Sequence, residues 1–254
     1  MSRNPAVGRL RGKTRAGRLR LWDAMLEPLF STACSQGVLD VGVGERPDTL
    51  IELAAVLEHV PTAIEVHPRR VAAARAATSF PILTGDALQS PSGPERFGLV
   101  RCANVLRQYP VDAVEQAHRG LVAHCRPGGV VLEGSCDAGG DVGCFHVLRC
   151  EPDGFKRVGL VFFSSFTRGF APIQLRDWLP RDLRRQVRDG GVMTELFRRW
   201  TIAWSAVRQG DAPTDFRRSV DALGEPGQLI DLSFTQSGAA AFWWTPEGGV
   251  PRPR

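Results

Sequence analysis

Short runs of apolar residues alternate with helical patterns along the first half of the chain. Five runs have the length of buried strands, and between them apolar residues recur at the spacing of one helix face. This alternation predicts a three-layer, doubly wound α/β fold, with a mostly parallel sheet covered by helices on both faces. The predicted strands are the run before Gly42, Thr62–Val66, Phe80–Leu83, Phe97–Val105 and Val130–Glu133, and the predicted helices between them are 48–58, 68–78 and 111–126.

The pattern changes beyond Gly134. Four strand patterns and three helical patterns follow, and the turn sequence Glu151-Pro-Asp-Gly154 joins the first two strands. The helix over 193–208 has a broad apolar face with two tryptophans, which we interpret as core. The strands are 144–149, 158–163, 229–234 and 239–244, and the helices are 175–189, 193–208 and one that ends at Gly224.

The composition is that of an ordinary globular protein. Apolar residues make up 43% of the 254 residues and charged residues 23%, which is enough for a packed core. No apolar run approaches the length of a membrane-spanning helix, and the first twenty residues lack the apolar block of a secretion signal, so we expect a cytoplasmic protein. Six scattered cysteines form no Cys-x-x-Cys pair, and we expect buried thiols rather than disulfides or metal ligands.

Positive charge is concentrated at the start of the chain. The formal net charge is +5, and seven basic residues precede the first acidic residue, Asp23. Such an arm can bind nucleic-acid phosphates or remain a solvated tail, and the absence of interleaved aromatic residues favours the tail.

A helix is predicted from Arg18, and Pro28 should end or bend it. This helix either packs on the sheet edge, which the pattern favours, or closes over a ligand. In the second case an arginine such as Arg18 would pair with a ligand carboxylate.

The segment Gly37–Gly44, Gly-Val-Leu-Asp-Val-Gly-Val-Gly, has the features of a ligand-binding corner. Gly42 and Gly44 allow a tight turn and the close approach of a ligand. Pro47 suits the start of the next helix, whose first N–H groups would face a ligand beyond the carboxyl end of the strand. Asp40 places a carboxylate beside this turn.

Polar side chains also end the next strands of the predicted sheet. Glu65 ends the second strand about twenty residues past the glycines, where a carboxylate can accept hydrogen bonds from both hydroxyls of a ribose. Asp86 and Ala87 lie in a turn after the third strand, and Asn104 lies at the end of the fourth. These positions predict one site along the carboxyl edge of the sheet.

The three motifs resemble those of class I S-adenosylmethionine-dependent methyltransferases, over roughly residues 18–135. The resemblance implies an enzyme with S-adenosylmethionine as its cofactor. It implies that Gly42 and Gly44 lie against the methionine part of the cofactor and that Asp40 faces its ammonium group. Many members have a third glycine where this chain has Arg46, so the turn is expected to be less open.

The same resemblance assigns the other motif residues. It implies that Glu65 holds the ribose hydroxyls and that Asp86 accepts a hydrogen bond from the adenine amino group. The backbone of Ala87 would lie beside the adenine ring, and Asn104 would lie near the methyl group that is transferred.

A nicotinamide dinucleotide fold is the main competitor, because it also needs glycines and an acidic residue after the second strand. Pro47 stands where that fingerprint needs glycine or alanine, and Asp40 would repel a pyrophosphate. The preference for S-adenosylmethionine therefore depends on an Asp40 that is open to a cation. A crystal soaked with S-adenosylmethionine that leaves the turn empty, or that shows Asp40 turned inward against an arginine, would contradict it. We expect Asp40→Ala to abolish cofactor binding with little change in melting temperature.

The resulting organisation has four parts. They are a basic flexible arm (1–17), a cofactor-binding core (18–135), a region of sheet completion with a helical lid or acceptor site (136–247) and a disordered tail (248–254).

The methyl acceptor is open between two classes. A small molecule, slightly favoured, would be enclosed by the tryptophan-bearing helix and its neighbours. An RNA would instead be held by the basic arm and by arginines that a helix would place on one side. A fold that binds the cofactor without catalysis is a third hypothesis. The arginines are Arg181, Arg184, Arg185 and Arg188.

No general base is fixed by the sequence. His146 follows the fifth strand and could face the cleft, although a lone histidine in a strand pattern is more typical of a structural role. His118 and His124 are expected to be surface or packing residues. The acceptor atom, the base and the oligomeric state stay open.

Overall fold

A computed structural model describes residues 15–44, 46–57, 59–89, 91, 93, 95–187, 190–224, 227–233, 235 and 238–245. Most of the predicted arm and the whole predicted tail lie outside these residues. The described helices are α1 (Arg20–Asp23), α2 (Leu26–Ser35), α3 (Asp48–Val56), α4 (Pro68–Ala77), α5 (Val114–Ala123), α6 (Val192–Val207) and α7 (Ala212–Leu223). The described strands are β1 (Val38–Val41), β2 (Thr62–Glu65), β3 (Ile82–Thr84), β4 (Phe97–Ala103), β5 (Cys125–Cys136), β6 (Val142–Glu151), β7 (Gly154–Ser164), β8 (Gly227–Leu232) and β9 (Ala239–Trp244).

All of these strands belong to one sheet, in the order β3-β2-β1-β4-β5-β6-β7-β9-β8. The first five are parallel to one another, as the alternation of strands and helices predicted. The α/β fold class is confirmed. Parallel neighbours bring the ends of β1, β2, β3 and β4 to one edge of the sheet, so the predicted site residues share that edge.

The remaining four strands extend the sheet in an antiparallel arrangement. A tight turn at 152–153 joins β6 to β7, as the sequence predicted. β5 is much longer than its predicted apolar run, because residues 130–134 pair with β4 and residues 130–136 pair with β6 on the other side. The end of the predicted cofactor-binding core thus falls inside a continuous sheet.

Side chains alternate between two helix-covered faces of the sheet. One core cluster joins α1, α2 and α3 to one face, where Trp22 stacks on Phe145 with ring centroids 4.5 Å apart. Clusters on the opposite face join α5, α6 and α7 to the sheet. The tryptophan stripe of α6 is core, as predicted, because Trp200 and Trp204 are buried against aromatic rings of this face.

Two prolines shape the helices differently. The predicted helix over 175–189 is wrong, since the structure has a 3₁₀ segment at Pro172–Trp178 and turns over 181–187. Pro180 explains the difference, because it lacks an N–H and its ring would clash with the preceding helical turn. Pro28 lies in the first turn of α2, where a missing N–H costs little. The helix predicted from Arg18 is interrupted shortly before this proline, between α1 and α2.

All six cysteines are buried and unpaired, which confirms the expectation of buried thiols. None of the helices formed by the described residues combines the length and apolar character needed to cross a bilayer.

The segment that leads into α1 docks closely on the turn between β5 and β6. Gly140 has φ +73°, and a Cβ there would overlap the backbone oxygen of Arg18. Arg20 Nη1 donates to Gly139 O at 3.0 Å from the same segment. A side chain at position 140 is therefore excluded both by conformation and by space.

We predict that Gly140→Ala lowers the free energy of unfolding by about 2–4 kcal/mol, the sum of a left-handed residue and an overpacked contact. Gly190→Ala is the control, since Gly190 also has φ +73° but has no described neighbour near an added Cβ. Urea denaturation of both variants measures the difference. Equal losses would show that the docked contact contributes nothing.

Candidate functional site

The glycine turn after β1 has the predicted geometry. Gly42 and Gly44 adopt φ +85° and +80°, which favour glycine. The Gly42 N–H donates to Ile64 O at 2.9 Å, which ties the turn to β2. A Cβ added to Gly42 would lie 3.3 Å from Val105 Cγ2, so the turn leaves little room for a side chain.

Glu65 connects the glycine turn to the end of β2. Its carboxylate is buried and accepts hydrogen bonds from the N–H of Gly44 at 3.3 Å and from the N–H of His67 at 2.9 Å. The structure thus brings together two of the three predicted motifs. The Gly44 N–H, which a phosphate bound at this turn would need as a donor, is already hydrogen-bonded to the Glu65 carboxylate.

Asp86 and Ala87 follow β3 along the same edge. Asp86 Oδ1 accepts from the Leu88 N–H at 3.0 Å, which fixes the turn, and Ala87 is buried in the cluster beneath it. Their contact with an adenine ring stays a prediction.

Asn104 lies at the end of β4 in a left-handed conformation, φ +63°. Its Oδ1 accepts from the Cys136 N–H at 3.1 Å, and its backbone N–H donates to Gly134 O at 2.8 Å. Asn is among the residues that tolerate this conformation. Asn104 therefore joins the carboxyl ends of β4 and β5, and a role near the transferred methyl group stays a prediction.

Asp40 does not have the open carboxylate that the sequence argument required. It lies opposite Arg101 across β1 and β4, and its Oδ1 accepts from Arg101 Nε at 2.8 Å. The same guanidinium donates from Nη1 to Asp23 Oδ1 and from Nη2 to Thr49 O. This side chain is turned inward against an arginine, so its expected contact with a ligand ammonium has no support in this structure.

The buried triad Asp23–Arg101–Asp40 explains this placement. Arg101 is 0% exposed in β4, and a guanidinium inside a protein requires carboxylate partners. The sequence carried a signal that was missed, namely a charged residue inside the apolar strand Phe97–Ala103. With Asp40 committed to the triad, Asp40→Ala is now expected to destabilise the protein, contrary to the sequence-based expectation.

The corner still carries an excess of negative charge. Three carboxylates, of Asp23, Asp40 and Glu52, stand against the one guanidinium of Arg101. Asp23 Oδ2 and Glu52 Oε2 are buried and have no hydrogen-bond donor among the described residues. Asp23 is joined through Arg101 to Asp40 at the end of β1, so its unsatisfied oxygen would favour a cationic ligand group over a diphosphate in this corner.

The segment before α1 lies along the carboxyl edge of the sheet. The Gly17 N–H donates to Glu52 Oε1 at 2.6 Å. Arg18 donates to the carbonyl oxygens of Asp137, at 3.1 Å from Nε, and of Cys136, at 3.2 Å from Nη2. The Arg18 guanidinium is thus bound to backbone at the end of β5, and the alternative in which it pairs with a ligand carboxylate gains no support from these contacts.

The candidate base His146 is part of a buried polar network on the face covered by α5. His146 Nε2 lies 2.9 Å from Asp182 Oδ1, and His118 Nε2 lies 3.2 Å from Glu133 Oε2. Burial opposes ionisation of Asp182, but the neighbouring His146 outweighs it and holds the pKa of that carboxyl well below its usual range. His118 and His124 are both buried, so the packing role is correct and the surface role is wrong.

Three of the four arginines proposed for RNA binding, Arg181, Arg184 and Arg185, lie in turns and not on one side of a helix. Arg181 Nε donates to Tyr109 O at 2.9 Å, and Arg184 Nη2 lies 3.5 Å from Asp177 Oδ1. Both residues lie in turns, and Arg188 is outside the described residues. The RNA alternative therefore has no structural support.

Comparisons with known proteins are limited to fold. No protein-family model and no curated protein matches the chain. Among solved structures, the sugar N-methyltransferase KedS8 from Streptoalloteichus sp. ATCC 53650 is 16% identical with a TM-score of 0.41, over 92% of this chain and 90% of that one. S-adenosylmethionine-bound CalS10, an amino pentose methyltransferase from Micromonospora echinaspora, is 17% identical with a TM-score of 0.42, over 92% and 93%.

A third similar structure is the N-methyltransferase NodS from Bradyrhizobium japonicum WM9 in complex with S-adenosyl-L-homocysteine, 24% identical over 47% of this chain and 62% of that one, with a TM-score of 0.37. At these identities and TM-scores the likeness assigns neither a ligand nor an acceptor to this chain. The strand order and the glycine turn of the present structure establish a doubly wound α/β fold without these comparisons.

We predict that Arg101→Met lowers the free energy of unfolding at pH 7 by about 3–5 kcal/mol, because two buried carboxylates lose their cation. The triple variant Asp23→Asn/Asp40→Asn/Arg101→Met is the matched control, since it removes all three charges and should recover most of this loss. Chemical denaturation measures both. A loss below about 1 kcal/mol for Arg101→Met would contradict the triad's structural role.

Asp23 gives a prediction for pH dependence. Burial raises the pKa of Asp23 from 3.8 to about 6, against the opposing effect of Arg101. Between pH 4 and 6 the folded protein therefore retains a proton that the unfolded chain releases, so this group's contribution to stability is greatest below pH 4 and is lost as pH rises to 6.

As pH rises from 4.5 to 7, we expect the free energy of unfolding of the wild type to fall by on the order of 2 kcal/mol relative to that of Asp23→Asn. Urea unfolding of both proteins at the two pH values measures this double difference. A wild type that instead gains stability relative to the variant would show that the pKa of Asp23 is lowered.

Proposed function

We propose that the protein is an S-adenosylmethionine-dependent methyltransferase that acts on a small-molecule acceptor. The observation that carries this proposal is the corner formed by the glycine turn, Glu65 and the buried unsatisfied oxygens of Asp23 and Glu52. Its backbone allows close approach, and its charge suits a ligand with an amino group and a sulfonium.

The residues present fit this cofactor in distinct places. The methionine part would lie on Gly42 and Gly44, with its ammonium near the Asp23 and Glu52 oxygens rather than held by Asp40. Glu65 retains lone pairs for ribose hydroxyls beyond the two N–H groups it already accepts from. Asp86 and Ala87 would contact the adenine.

Electrostatics favours this cofactor over a nicotinamide dinucleotide. The Gly44 N–H already binds the Glu65 carboxylate, and Asp48 stands in the first turn of α3. A diphosphate at this helix N-terminus would face the Glu65 carboxylate, and it would also meet an Asp48 that is already paired with the exposed Arg46. Asp40 no longer contributes to this argument, because Arg101 neutralises it.

The cofactor supplies a methyl group that its sulfonium already activates. The protein's part is to orient the acceptor and to exclude water. Asn104 and Arg18 would serve the first task indirectly, since both hold the backbone of Cys136 at the end of β5, next to the expected acceptor side. A small acceptor is supported by a cavity that begins at the following residue, Asp137.

We predict that isothermal titration detects binding of S-adenosylmethionine and S-adenosylhomocysteine, and that Glu65→Gln weakens it at least tenfold through loss of a charge-assisted hydrogen bond. Glu151→Gln, an exposed change at the end of β6, is the matched control and should leave binding unchanged. Thermal melting verifies that both variants are folded.

Three outcomes decide against the proposal or part of it. If the folded protein gives no heat signal with either compound, the fold does not bind this cofactor. Binding of NAD instead would overturn the cofactor assignment. Binding without methyl transfer to any member of a broad acceptor panel would support the non-catalytic module.

A further inference from the structure

A cavity of about 290 Å³ opens between the turn that joins β5 to β6, the end of β7 and the 3₁₀ segment Pro172–Trp178. Its size is near the lower end for small-molecule sites. Carboxylates of Asp137, Asp141 and Asp177 line it together with the aromatic rings of Phe166 and Trp178. The tryptophans of α6 do not contribute, because they are buried in the core.

The cavity adjoins the predicted methyl-transfer position. Asp137 follows Cys136, whose N–H is bound by Asn104 at the end of β4. From the same β4 loop, the Arg107 guanidinium stacks 4.3 Å from the ring centroid of Trp178, which forms another part of the cavity wall. The end of β4 therefore contacts the cavity from two directions.

Asp137 and Asp141 each use their Oδ1 atom for hydrogen bonds within the protein. Asp137 Oδ1 accepts from the Asp141 N–H at 2.6 Å and from the Val142 N–H at 3.3 Å. Asp141 Oδ1 accepts from Arg20 Nη2 and from Ser165 Oγ, both at 2.9 Å. Their Oδ2 atoms face the side chain of Arg168 at longer distances.

The guanidinium of Arg168 is loosely held at these two Oδ2 atoms. Its nitrogens lie 3.8 Å from Asp137 Oδ2 and 3.7 Å from Asp141 Oδ2, beyond hydrogen-bond distance, and its side chain is 71% exposed. Burial opposes ionisation of Asp141, but hydrogen bonds from Arg20 and Ser165 outweigh it and lower the pKa of that carboxyl. Arg168 thus marks a cation position that a ligand could take over at little cost.

We propose that this cavity binds the acceptor and that the acceptor is a compact amine, whose ammonium group is recognised between the Oδ2 atoms of Asp137 and Asp141. The inference rests on the proposed function for its link to methyl transfer. Three of the described lining residues are acidic and one is basic. Arg20 and Arg184 pair with Asp141 and Asp177 from outside the lining, so the preference for an ammonium over a phosphate or carboxylate comes from the two Oδ2 atoms that face Arg168. The faces of Phe166 and Trp178 provide apolar walls for the body of the molecule.

Ligand-observed NMR titrations with two matched pairs test this inference, with and without S-adenosylhomocysteine. The pairs are glucosamine with glucose, and 2-phenylethylamine with 2-phenylethanol, which differ in the amino group. We expect at least one amine to bind at least tenfold more tightly than its neutral partner, through one charge-assisted hydrogen bond.

Two variants that are expected to change the affinity for the amine in opposite directions separate recognition of the amine from a general loss of stability. Asp137→Asn keeps the Oδ1 acceptor and should weaken amine binding about tenfold, whereas Arg168→Gln removes the competing cation and should tighten it about threefold. Asp153→Asn, an exposed change in the β6–β7 turn, should have no effect.

The inference is overturned if neither amine binds, if neutral partners bind equally well, or if Asp137→Asn leaves amine binding unchanged. Amine selectivity without binding of S-adenosylmethionine would overturn the proposed function and leave an amine site. Cofactor binding without amine selectivity would overturn this inference alone.

Discussion

The burial of Arg101 constrains the whole cofactor corner. A guanidinium in the middle of a sheet must be surrounded by acceptors, and here these come from β1, from α1 and from the first turn of α3. One side chain thereby fixes the N-terminal helix against the strand that carries the glycine turn. Among the described residues none donates a hydrogen bond to Asp23 Oδ2, so the arrangement that stabilises the corner also keeps one buried carboxylate oxygen unsatisfied.

The parallel half of the fold could be predicted because its local signals agree. Apolar runs, the glycine turn after β1 and helical stripes all point to the same elements, and each predicted strand was found. The helix over 175–189 could not be predicted correctly from periodicity, because Pro180 interrupts a pattern that otherwise has helical spacing. The length of β5 depends on its pairing with β6, which is a tertiary effect.

The candidate site was predictable in position but not in electrostatics. Glu65 and the glycine turn meet as their spacing implied, since parallel strands share an edge. The partner of Asp40 lies sixty-one residues away, and only the register of β1 against β4 places Arg101 opposite it. The cavity beside Asp137 likewise depends on how three separate loops pack, for which a single sequence gives no periodic signal.

The continuity of the sheet from β3 to β8 also determines how molecules can enter and leave. The parallel and antiparallel halves share residues 130–134 of β5, which pair with β4 on one side and with β6 on the other, and this continuity opposes a rotation of the two halves as hinged lobes. A ligand would instead have to pass the short connections at the carboxyl edge of the sheet. For the proposed cofactor, the stretch around Arg18, which is held there by side-chain bonds to two carbonyl groups, is the segment that we expect to detach during exchange.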